Sequence, residues 1–387
     1  MAELTKKDRV MRQFTREPVD YLPSQITFAD RTRDVEISQA LGLGDVGELD
    51  DYLENHILFI YTKDDLPLHY RNDIGKMRGL EEEGFAYVDV EGRTVYDRWG
   101  MGTMIGEAGF FTNYGLFEGS AEKNARAAGF LPEKLQKLWE LPLEEAVAAY
   151  EHPDPLTEGN DAIYAQYKDG VPGGLCAIPG GDFGIFERAY ALMGFQNFMT
   201  EIALNPKMTY ALMEKITDYR IRLAKVKADL GYKLVHHGDD LATQCSGFFS
   251  PTMFEEVILP HLKRLFAEYK KYGQYIMMHS CGKIEAYLPK LIDIGLDAWE
   301  PVQPCNDLAF IKREYGGDLV FMGGIDTQRL PFMKPDEVRE MATETIRILG
   351  KGGGYIIAPA QEIMNDVPLE NIVAILKTVV ELRDKVA

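Results

Sequence analysis

The sequence predicts an α/β protein of the (β/α)8-barrel (TIM-barrel) class, and three observations support this fold. From residue 175 to residue 387, strand-like and helix-like segments alternate, which implies a parallel sheet. The strands are almost entirely apolar, as expected where both faces of a sheet are buried. Polar residues follow the strand ends, which meet at the face of a barrel where active sites lie. A doubly wound sheet is the alternative, but no G-x-G-x-x-G motif follows an early strand.

Residues 1–150 are irregular, and we interpret them as an N-terminal elaboration that contains the first barrel strand. A short basic helix is expected at residues 5–16 and a strand at residues 24–28. A hairpin is expected at residues 87–98, with Glu91-Gly92 as its turn. This region is expected to border the opening of the barrel.

Residues 175–387 carry the regular β/α repeats, and the whole chain is predicted to be one barrel domain. Six strands are expected, each followed by a polar loop and a helix: 175–179, 233–237, 275–279, 298–303, 319–323 and 355–360. In one of the helices, Ser250 is the N-cap, Pro251 takes the first position and Gly273 ends the helix. Pro260 is expected to kink it.

Composition excludes several classes of function. Of 387 residues, 46% are hydrophobic, and the net charge is −19. Such a surface repels nucleic acid and anionic membranes, and neither a signal peptide nor a transmembrane segment is predicted. Four cysteines in a chain of this length do not form a disulfide framework. We therefore expect a cytoplasmic protein without nucleic-acid or membrane partners; a homodimer is compatible with the sequence.

The strongest local signal for chemistry is the pair His279 and Cys281. Residues two apart in an extended segment point to the same side, so imidazole and thiolate can face one ion. Both are good zinc ligands, and a catalytic zinc uses three protein groups and one open position. Gly282 lets the chain turn away sharply. The alternative is a hydrogen-bonded barrel histidine beside a small buried cysteine.

A third ligand must come from another strand end. Glu362, after the last strand, is the better chemical donor, with Gln361 beside it. Cys305 and the pair Asp239-Asp240 lie on the same predicted face. The sequence does not choose among them.

Two further groups of residues are candidates for catalysis and substrate binding. Asp239 and Asp240 can act as acid or base, but adjacent carboxylates on a strand end point apart, so only one should face the site while the other caps a turn. His236 and His237 precede them, either facing the pocket or serving a structural role. The predicted substrate-binding residues are aromatic or polar groups near strand ends, although aromatic residues more commonly belong to a core: Phe183, Phe186, His237, Phe248, Trp299, Gln303 and Asp326.

At these motifs the chain resembles the uroporphyrinogen decarboxylase superfamily. The resemblance extends from about residue 6 to the C-terminus and is strongest after residue 175. The matching blocks, in order, are residues 238–244, Ser250-Pro251 with Leu259-Pro260, residues 279–282, residues 323–326, and residues 353–355 through 366–368 with Asn371. The ordered set is specific, and it implies a (β/α)8 barrel of the uroporphyrinogen decarboxylase type.

The superfamily contains two main kinds of enzyme. The decarboxylases process a tetrapyrrole without metal and carry an R-x-x-G-R-Y motif that binds substrate carboxylates. Residues 26–33 of this chain read Ile-Thr-Phe-Ala-Asp-Arg-Thr-Arg instead, which argues against a porphyrinogen. The other kind comprises zinc-dependent, corrinoid-linked methyltransferases with an H-x-C motif and a later cysteine. His279 and Cys281 match the first two ligands, but Gln361-Glu362 stand where the later cysteine is expected.

This departure argues against the thiol-methylating branch. An oxygen donor such as Glu362 leaves more positive charge on zinc, which suits an ether substrate. The resemblance thus implies O-demethylation of a small methylated compound, with an aryl methyl ether as the expected substrate and Asp240, then Asp239, as the expected acid. Because no D-x-H-x-x-G pattern is present, cobalamin should arrive on a separate corrinoid protein. The alternatives are a metal-free decarboxylase and a non-catalytic binding subunit.

Overall fold

The structure, a computed structural model, describes residues 4–29, 31–70, 72–106, 112–180 and 183–385. The strands of the described ranges are β1 Ile57–Ile60, β2 Ala86–Asp89, β3 Thr94–Asp97, β4 Gly102–Met104, β5 Thr112–Tyr114, β6 Cys176–Pro179, β7 Leu234–Gly238, β8 Tyr275–His279, β9 Ala298–Val302, β10 Val320–Ile325 and β11 Tyr355–Pro359. The α-helices are α1 Lys6–Thr15, α2 Asp34–Leu41, α3 Val46–Leu53, α4 Leu66–His69, α5 Ile74–Glu82, α6 Ala121–Ala127, α7 Glu133–Gln136, α8 Leu143–Ala149, α9 Ala162–Tyr167, α10 Ile185–Met193, α11 Phe195–Leu204, α12 Pro206–Asp229, α13 Pro251–Val257, α14 Leu259–Lys271, α15 Leu288–Asp293, α16 Leu308–Tyr315, α17 Pro335–Gly350 and α18 Leu369–Leu382.

Parallel strands form the centre of the molecule. One sheet has the order β11-β10-β9-β8-β7, and β1 pairs with β6 in a second. Residues 23–29 connect the two: Gln25 N–H donates to the Ile357 carbonyl at 2.8 Å, and His56 N–H donates to the Ser24 carbonyl at 3.1 Å. The predicted α/β class with parallel strands is confirmed, and the six strands expected after residue 175 lie within two residues of their predicted bounds.

Helix α1 closes the amino ends of these strands. Val10 belongs to an apolar cluster with residues of the strands, among them Cys176 and Leu234. Arg16 donates to the Leu319 carbonyl at 2.7 Å, and Gln13 Oε1 accepts from Tyr355 N–H at 3.2 Å. The carboxyl ends of the strands are therefore free to carry the site. The N-terminal region thus contributes one helix at the end opposite to the predicted opening.

An antiparallel sheet and a buried ionic network characterise the rest of the N-terminal region. The sheet has the order β2-β3-β4-β5, and β2 with β3 confirms the hairpin expected at residues 87–98. Asp65 accepts hydrogen bonds from Arg220 at 3.0 and 3.2 Å and from Arg188 at 3.3 Å. Arg188 also donates to Asp97 of β3 at 2.5 Å. These buried pairs, which the sequence did not reveal, tie the region to α10 and α12.

The predicted kinked helix is present as two helices. Ser250 caps α13 by accepting from Met253 N–H at 3.2 Å. The chain breaks at Ile258, and α14 begins just before Pro260, which lacks the N–H that an unbroken helix requires. Gly273, with φ +66°, follows α14. The N-cap and the kink are both confirmed.

Two chain-wide properties bear on the cellular setting. All four cysteines, Cys176, Cys245, Cys281 and Cys305, are unpaired. In the part of the chain that the structure describes, no helix combines the length and the apolar character required to span a bilayer.

The stability of the fold should depend on pH through His56. Burial lowers the pKa of His56 to about 4, from 6.5 in an unfolded chain. Between these values the unfolded state binds more protons, so the free energy of unfolding should rise with pH, by about 3 kcal/mol at most. We expect the His56→Asn variant, which cannot titrate, to lack this part of the pH dependence. Urea unfolding of both proteins between pH 4 and 7 measures this difference. If the free energy of unfolding changes with pH equally in the two proteins, the pH dependence does not come from His56.

Candidate functional site

The polar residues that follow the strands come together at the carboxyl ends. His279 is the last residue of β8, and Asp240 and Cys281 lie in the loops after β7 and β8. Gly282 has φ +84°, and a Cβ there would lie 2.6 Å from the Ala242 carbonyl oxygen. The sharp turn predicted at Gly282 is confirmed, and only glycine fits it without strain.

Asp240, His279 and Cys281 form a cluster of potential metal ligands. Their ligand atoms lie within 4.8 Å of one another. His279 Nε2 is 3.7 Å from Cys281 Sγ and 3.4 Å from Asp240 Oδ1. The backbone N–H of Cys281 donates to Asp240 Oδ1 at 2.6 Å and holds the carboxylate beside the thiol. One nitrogen, one oxygen and one sulfur donor are a suitable set for a catalytic zinc ion.

Glu300 of β9 orients the histidine of this cluster. Its Oε1 lies 2.9 Å from His279 Nδ1 and 2.8 Å from His236 Nε2, so it accepts a hydrogen bond from both rings. With Nδ1 directed at Glu300, Nε2 is the ring nitrogen of His279 that faces Asp240 and Cys281. A carboxylate behind a ligating histidine is the common arrangement at metal sites, because it fixes the ring and its tautomer.

The electrostatics of the cluster follow from burial and from the neighbouring charges. Burial alone would raise the pKa of Glu300, but the two imidazoles hold it well below its usual range. Burial would likewise lower the pKa of His279, but Glu300, Cys281 and Asp240 raise it well above its usual range. Burial raises the pKa of the Cys281 thiol, although His279 opposes this. Negative charge thus surrounds one imidazole, which suits a bound cation.

The other candidates for the third ligand lie around the cluster. Gln361 Nε2 and Gln303 Nε2 are 3.9 and 3.5 Å from Cys281 Sγ. Glu362 lines the cavities on both sides of the cluster, and Cys305 lines one of them. Among the described residues, however, it is Asp240 whose carboxylate converges with His279 and Cys281. Ligation by Glu362 or Gln361 stays a prediction.

Two cavities meet at the cluster. The inner cavity, of about 340 Å³, extends among the strands, and its walls include Phe59, Phe183 and Met322. The outer cavity, of about 740 Å³, is lined by Gln303 and Asp326 among others. Both cavities share four wall residues: Asp240, Cys281, Gln361 and Glu362. A group held by the cluster would therefore face two separate spaces.

The N-terminal region contributes to the inner cavity. Thr27, Phe59, Tyr61, Leu68 and His69 all lie in its wall. These residues line the inner cavity only: among the described residues, none from positions 1–150 lines the outer cavity, and α1 lies at the other end of the strands. That the region borders the opening stays a prediction.

The two adjacent carboxylates have different environments, as predicted. Asp239 is completely buried and accepts from Ile185 N–H at 3.0 Å and from Glu187 N–H at 2.9 Å. It thereby caps the first turn of α10 rather than facing the site. His237 is buried beside it and packs edge-on against Phe266. The positions of Asp239 and His237 therefore do not support direct roles in catalysis or substrate binding.

The predicted substrate-binding aromatics separate into two groups. Phe183 lines the inner cavity. Trp299 is fully buried and donates through Nε1 to the Ser280 carbonyl at 2.9 Å, and Phe186 is fully buried with Phe248 packed against it at 6.0 Å. These three lie outside the walls of both cavities because the helices that cover the sheet need apolar contacts there.

Three residues of the site were missed or undervalued in the sequence. Glu300 is a charged residue within an otherwise apolar strand, which is the signal that could have revealed it. His236 lines the inner cavity, which is one of the two roles that the sequence left open for it. Glu187 also lines this cavity; burial and the charges of Asp240 and Asp239 raise its pKa well above its usual range. It lies in a helix, where no motif distinguishes it.

The segment that stands where the decarboxylases carry their arginine motif is described except for Asp30. Arg31 pairs with Asp34 and Asp50, and Arg33 donates to the Val367 carbonyl at 2.6 Å. Among the described residues, neither arginine nor lysine lines the inner cavity. This cavity therefore lacks the cations that a substrate with many carboxylates would require.

Curated proteins of two kinds are similar to parts of the chain. A methylated-thiol–coenzyme M methyltransferase from Methanosarcina mazei is 24% identical over 197 residues, 50% of each chain. A methylcobamide:CoM methyltransferase from Methanosarcina barkeri is 24% identical over 200 residues, 51% of this chain and 56% of that protein. A uroporphyrinogen decarboxylase from Anaeromyxobacter sp. is 26% identical over 234 residues, 58% and 62% of the two chains. The chain spans about half the length of the two methyltransferases that it matches.

One solved structure and one family profile cover more of the chain. A methyltransferase from Methanosarcina mazei superposes with a TM-score of 0.56 over 98% of this chain and 99% of that one, at 18% identity, and thus shares the fold. The profile of the uroporphyrinogen decarboxylase (URO-D) family matches residues 148–382, more than half of the chain. These residues include the metal-ligand cluster and Glu300, and the chain belongs to the uroporphyrinogen decarboxylase family.

Proposed function

We propose that this protein is a zinc-dependent methyltransferase that moves a methyl group from a small methylated compound to the cobalamin of a separate corrinoid protein. The observation that carries the proposal is the cluster of Asp240, His279 and Cys281, oriented by Glu300 and placed between two cavities. The relatives named methyltransferases support the reaction class. The substrate, the metal and the partner are our inference.

The chain's own residues would bind and orient the reacting groups. Asp240, His279 and Cys281 would hold zinc, which supplies Lewis acidity to an oxygen leaving group. Glu300 accepts from Nδ1 of His279, so Nε2 is the nitrogen that would bind zinc once the ion has replaced its proton. Since Asp240 belongs to the cluster, its predicted role as acid gives way to that of a ligand. In the overall reaction the methyl C–O bond breaks, a Co–C bond forms, and the leaving oxygen keeps the electron pair and takes a proton.

The inner cavity suits a small methylated substrate. Its volume of about 340 Å³ is at the lower end of the 300–1,000 Å³ range typical of ligand pockets. Apolar side chains such as Phe59, Phe183 and Met322 form much of its wall. An aryl methyl ether would place its ring against these residues and its methoxy group at the cluster.

The outer cavity suits the approach of the corrinoid partner. It opens at the rim beside Phe332 and Met364, whose side chains are 87% and 50% exposed. Exposed apolar residues beside a pocket are typical of a protein–protein contact. A cobalt centre that enters from this side would reach the cluster from the face opposite to the substrate.

We also propose that the eight parallel segments close into one (β/α)8-barrel domain. The order of residues 23–29, β1, β6 and β7 to β11 is the order around such a barrel. The bonds of Gln25 and Ser24 connect β11 to β1, and β6 lies beside β7. Four unpaired cysteines are compatible with our expectation of a cytoplasmic enzyme.

A metal-free decarboxylase is the second candidate, because uroporphyrinogen decarboxylases match at similar identity. The cation-poor inner cavity argues against a tetrapyrrole with many carboxylates. Release of carbon dioxide from such a substrate without zinc would favour this candidate, and a protein that binds ligands without turnover would favour a non-catalytic subunit.

The proposed reaction can be tested with simple reagents. The purified, zinc-loaded protein is mixed with 4-methoxyphenol and free cob(I)alamin, and methylcobalamin and hydroquinone are quantified. We expect both products in equal amounts, and neither after zinc is removed by a chelator. Equal rates with and without zinc would overturn the metal-dependent reaction; absence of product across a panel of methyl ethers would overturn the ether substrate.

A further inference from the structure

His236 is a buried histidine in the wall of the inner cavity, and only one of its ring nitrogens is engaged. Nε2 lies 2.8 Å from Glu300 Oε1, and the ring packs against Phe59 at 4.9 Å between centroids. Because a carboxylate only accepts hydrogen bonds, Nε2 carries the hydrogen that is shared with Glu300. Nδ1 is then an acceptor whose direction is fixed by the Glu300 bond and by Phe59.

The acceptor on Nδ1 has no partner within the described part of the chain. His236 is 6% exposed, and Nδ1 is buried without a hydrogen bond. A buried polar atom of this kind costs free energy unless a ligand or a water molecule satisfies it. An unsatisfied acceptor in a cavity wall therefore points to a donor on the molecule that fills the cavity.

Gly180 lies directly beside this nitrogen. A Cβ on Gly180 would lie 3.1 Å from His236 Nδ1 and 3.2 Å from Cε1 of Tyr61, which also lines the inner cavity. The backbone of Gly180 does not have a positive φ, so an alanine would be tolerated by the backbone but would crowd the space next to Nδ1. The lack of a side chain at Gly180 thus keeps Nδ1 from being crowded on that side.

We propose that His236 Nδ1 accepts a hydrogen bond from a hydroxyl group of the substrate and thereby selects hydroxylated methyl ethers. This inference rests on the proposed function, since it assumes that the substrate occupies the inner cavity with its methyl group at the cluster. Phe59 and Phe183 contact the apolar ring of the substrate, and His236 accepts the hydrogen bond from its hydroxyl group. His236 lies outside the proposed ligand set: it shares Glu300 with His279, and the centroids of the two rings are 6.3 Å apart.

The test compares two ethers of nearly equal shape, 4-methoxyphenol and 4-methylanisole, which differ by a hydroxyl in place of a methyl. We expect kcat/KM with cob(I)alamin to favour 4-methoxyphenol by about tenfold or more, from the value of one buried hydrogen bond. The difference should lie mainly in KM. In Gly180→Ala the preference should fall, because the added methyl group would crowd Nδ1 of His236.

Two variants of His236 separate substrate binding from support of Glu300. His236→Gln keeps an N–H donor near the position of Nε2 but lacks the acceptor at Nδ1; His236→Asn keeps a polar atom near Nδ1 but does not reach Glu300. We expect the hydroxyl preference to be lost in His236→Gln and retained in His236→Asn. The reverse pattern would show that His236 only holds Glu300, and would overturn the proposal.

Calorimetric binding of the same two ethers to the zinc-loaded protein decides the inference independently of turnover. If neither ether is demethylated, the ether reaction fails, yet tighter binding of 4-methoxyphenol that is abolished in His236→Gln still supports the role of His236. Equal binding of both ethers to the unaltered protein would overturn it, because water would then suffice as the partner of Nδ1.

Discussion

The Cys281→Ala variant is expected to lose its zinc and, with it, methyl transfer. The thiol lies 3.7 Å from His279 Nε2 and is the one sulfur among the three convergent ligand atoms. Loss of a residue that only hydrogen-bonds to a metal ligand weakens metal binding roughly 10–100-fold. Loss of the ligand itself should therefore weaken zinc binding by more than this. Elemental analysis of freshly purified protein measures zinc per chain. Cys245→Ala, which alters an exposed cysteine, is the matched control.

The same measurement identifies the oxygen ligand. We expect Asp240→Asn to lose zinc and Glu362→Gln to retain it, because the carboxylate of Asp240 is the one that converges on His279 and Cys281. Retention of zinc in Asp240→Asn with loss in Glu362→Gln would restore the ligand favoured from the sequence. About one zinc per chain in Cys281→Ala would contradict the metal centre altogether.

The Asp65→Ala variant is expected to lose about 3–5 kcal/mol of the free energy of unfolding, the usual effect of removing one partner from a buried ion pair. Asp65 is almost completely buried and accepts from Arg188 and Arg220. Arginine cannot give up its charge, so alanine would leave Arg220 buried without its carboxylate partner. Urea unfolding monitored by circular dichroism measures the change.

A surface pair provides the control for this effect. Lys225 and Asp229 lie one turn apart on α12, with side chains 62% and 61% exposed. Asp229→Ala should cost less than about 1 kcal/mol, since water screens such pairs. Similar losses in the two variants would show that the buried network contributes no more than a surface pair. A loss confined to Asp65→Ala would support the network as the connection between the N-terminal region and α10 and α12.

Local patterns were sufficient to predict much of the fold. Apolar runs bounded by glycine and polar residues predicted the strands after residue 175, because a strand that is buried on both faces is apolar along almost its whole length. The short strand β1 was missed: four apolar residues do not distinguish a strand from a helical turn. The network around Asp65 was also missed, since the residues that pair in it are 91 to 155 positions apart along the chain.

The site shows the same division between local and distant information. The spacing of His279 and Cys281 is a local property of an extended segment, and so is the divergence of Asp239 and Asp240. The choice of Asp240 beside Cys281 depends on how two neighbouring loops pack. Glu300 carried no motif, and its role became visible only when β9 was placed beside β8 and β7.

The sequence by itself therefore determined the α/β class, the strands of the second half, the His-x-Cys pair and the family. Only the tertiary structure decided which carboxylate joins that pair, which histidine shares Glu300 with His279, and which aromatic residues line a cavity rather than the core. The physical reason is that periodicity and propensity act between residues a few positions apart. Ligand convergence and burial depend on segments that meet only after the parallel strands have been brought side by side.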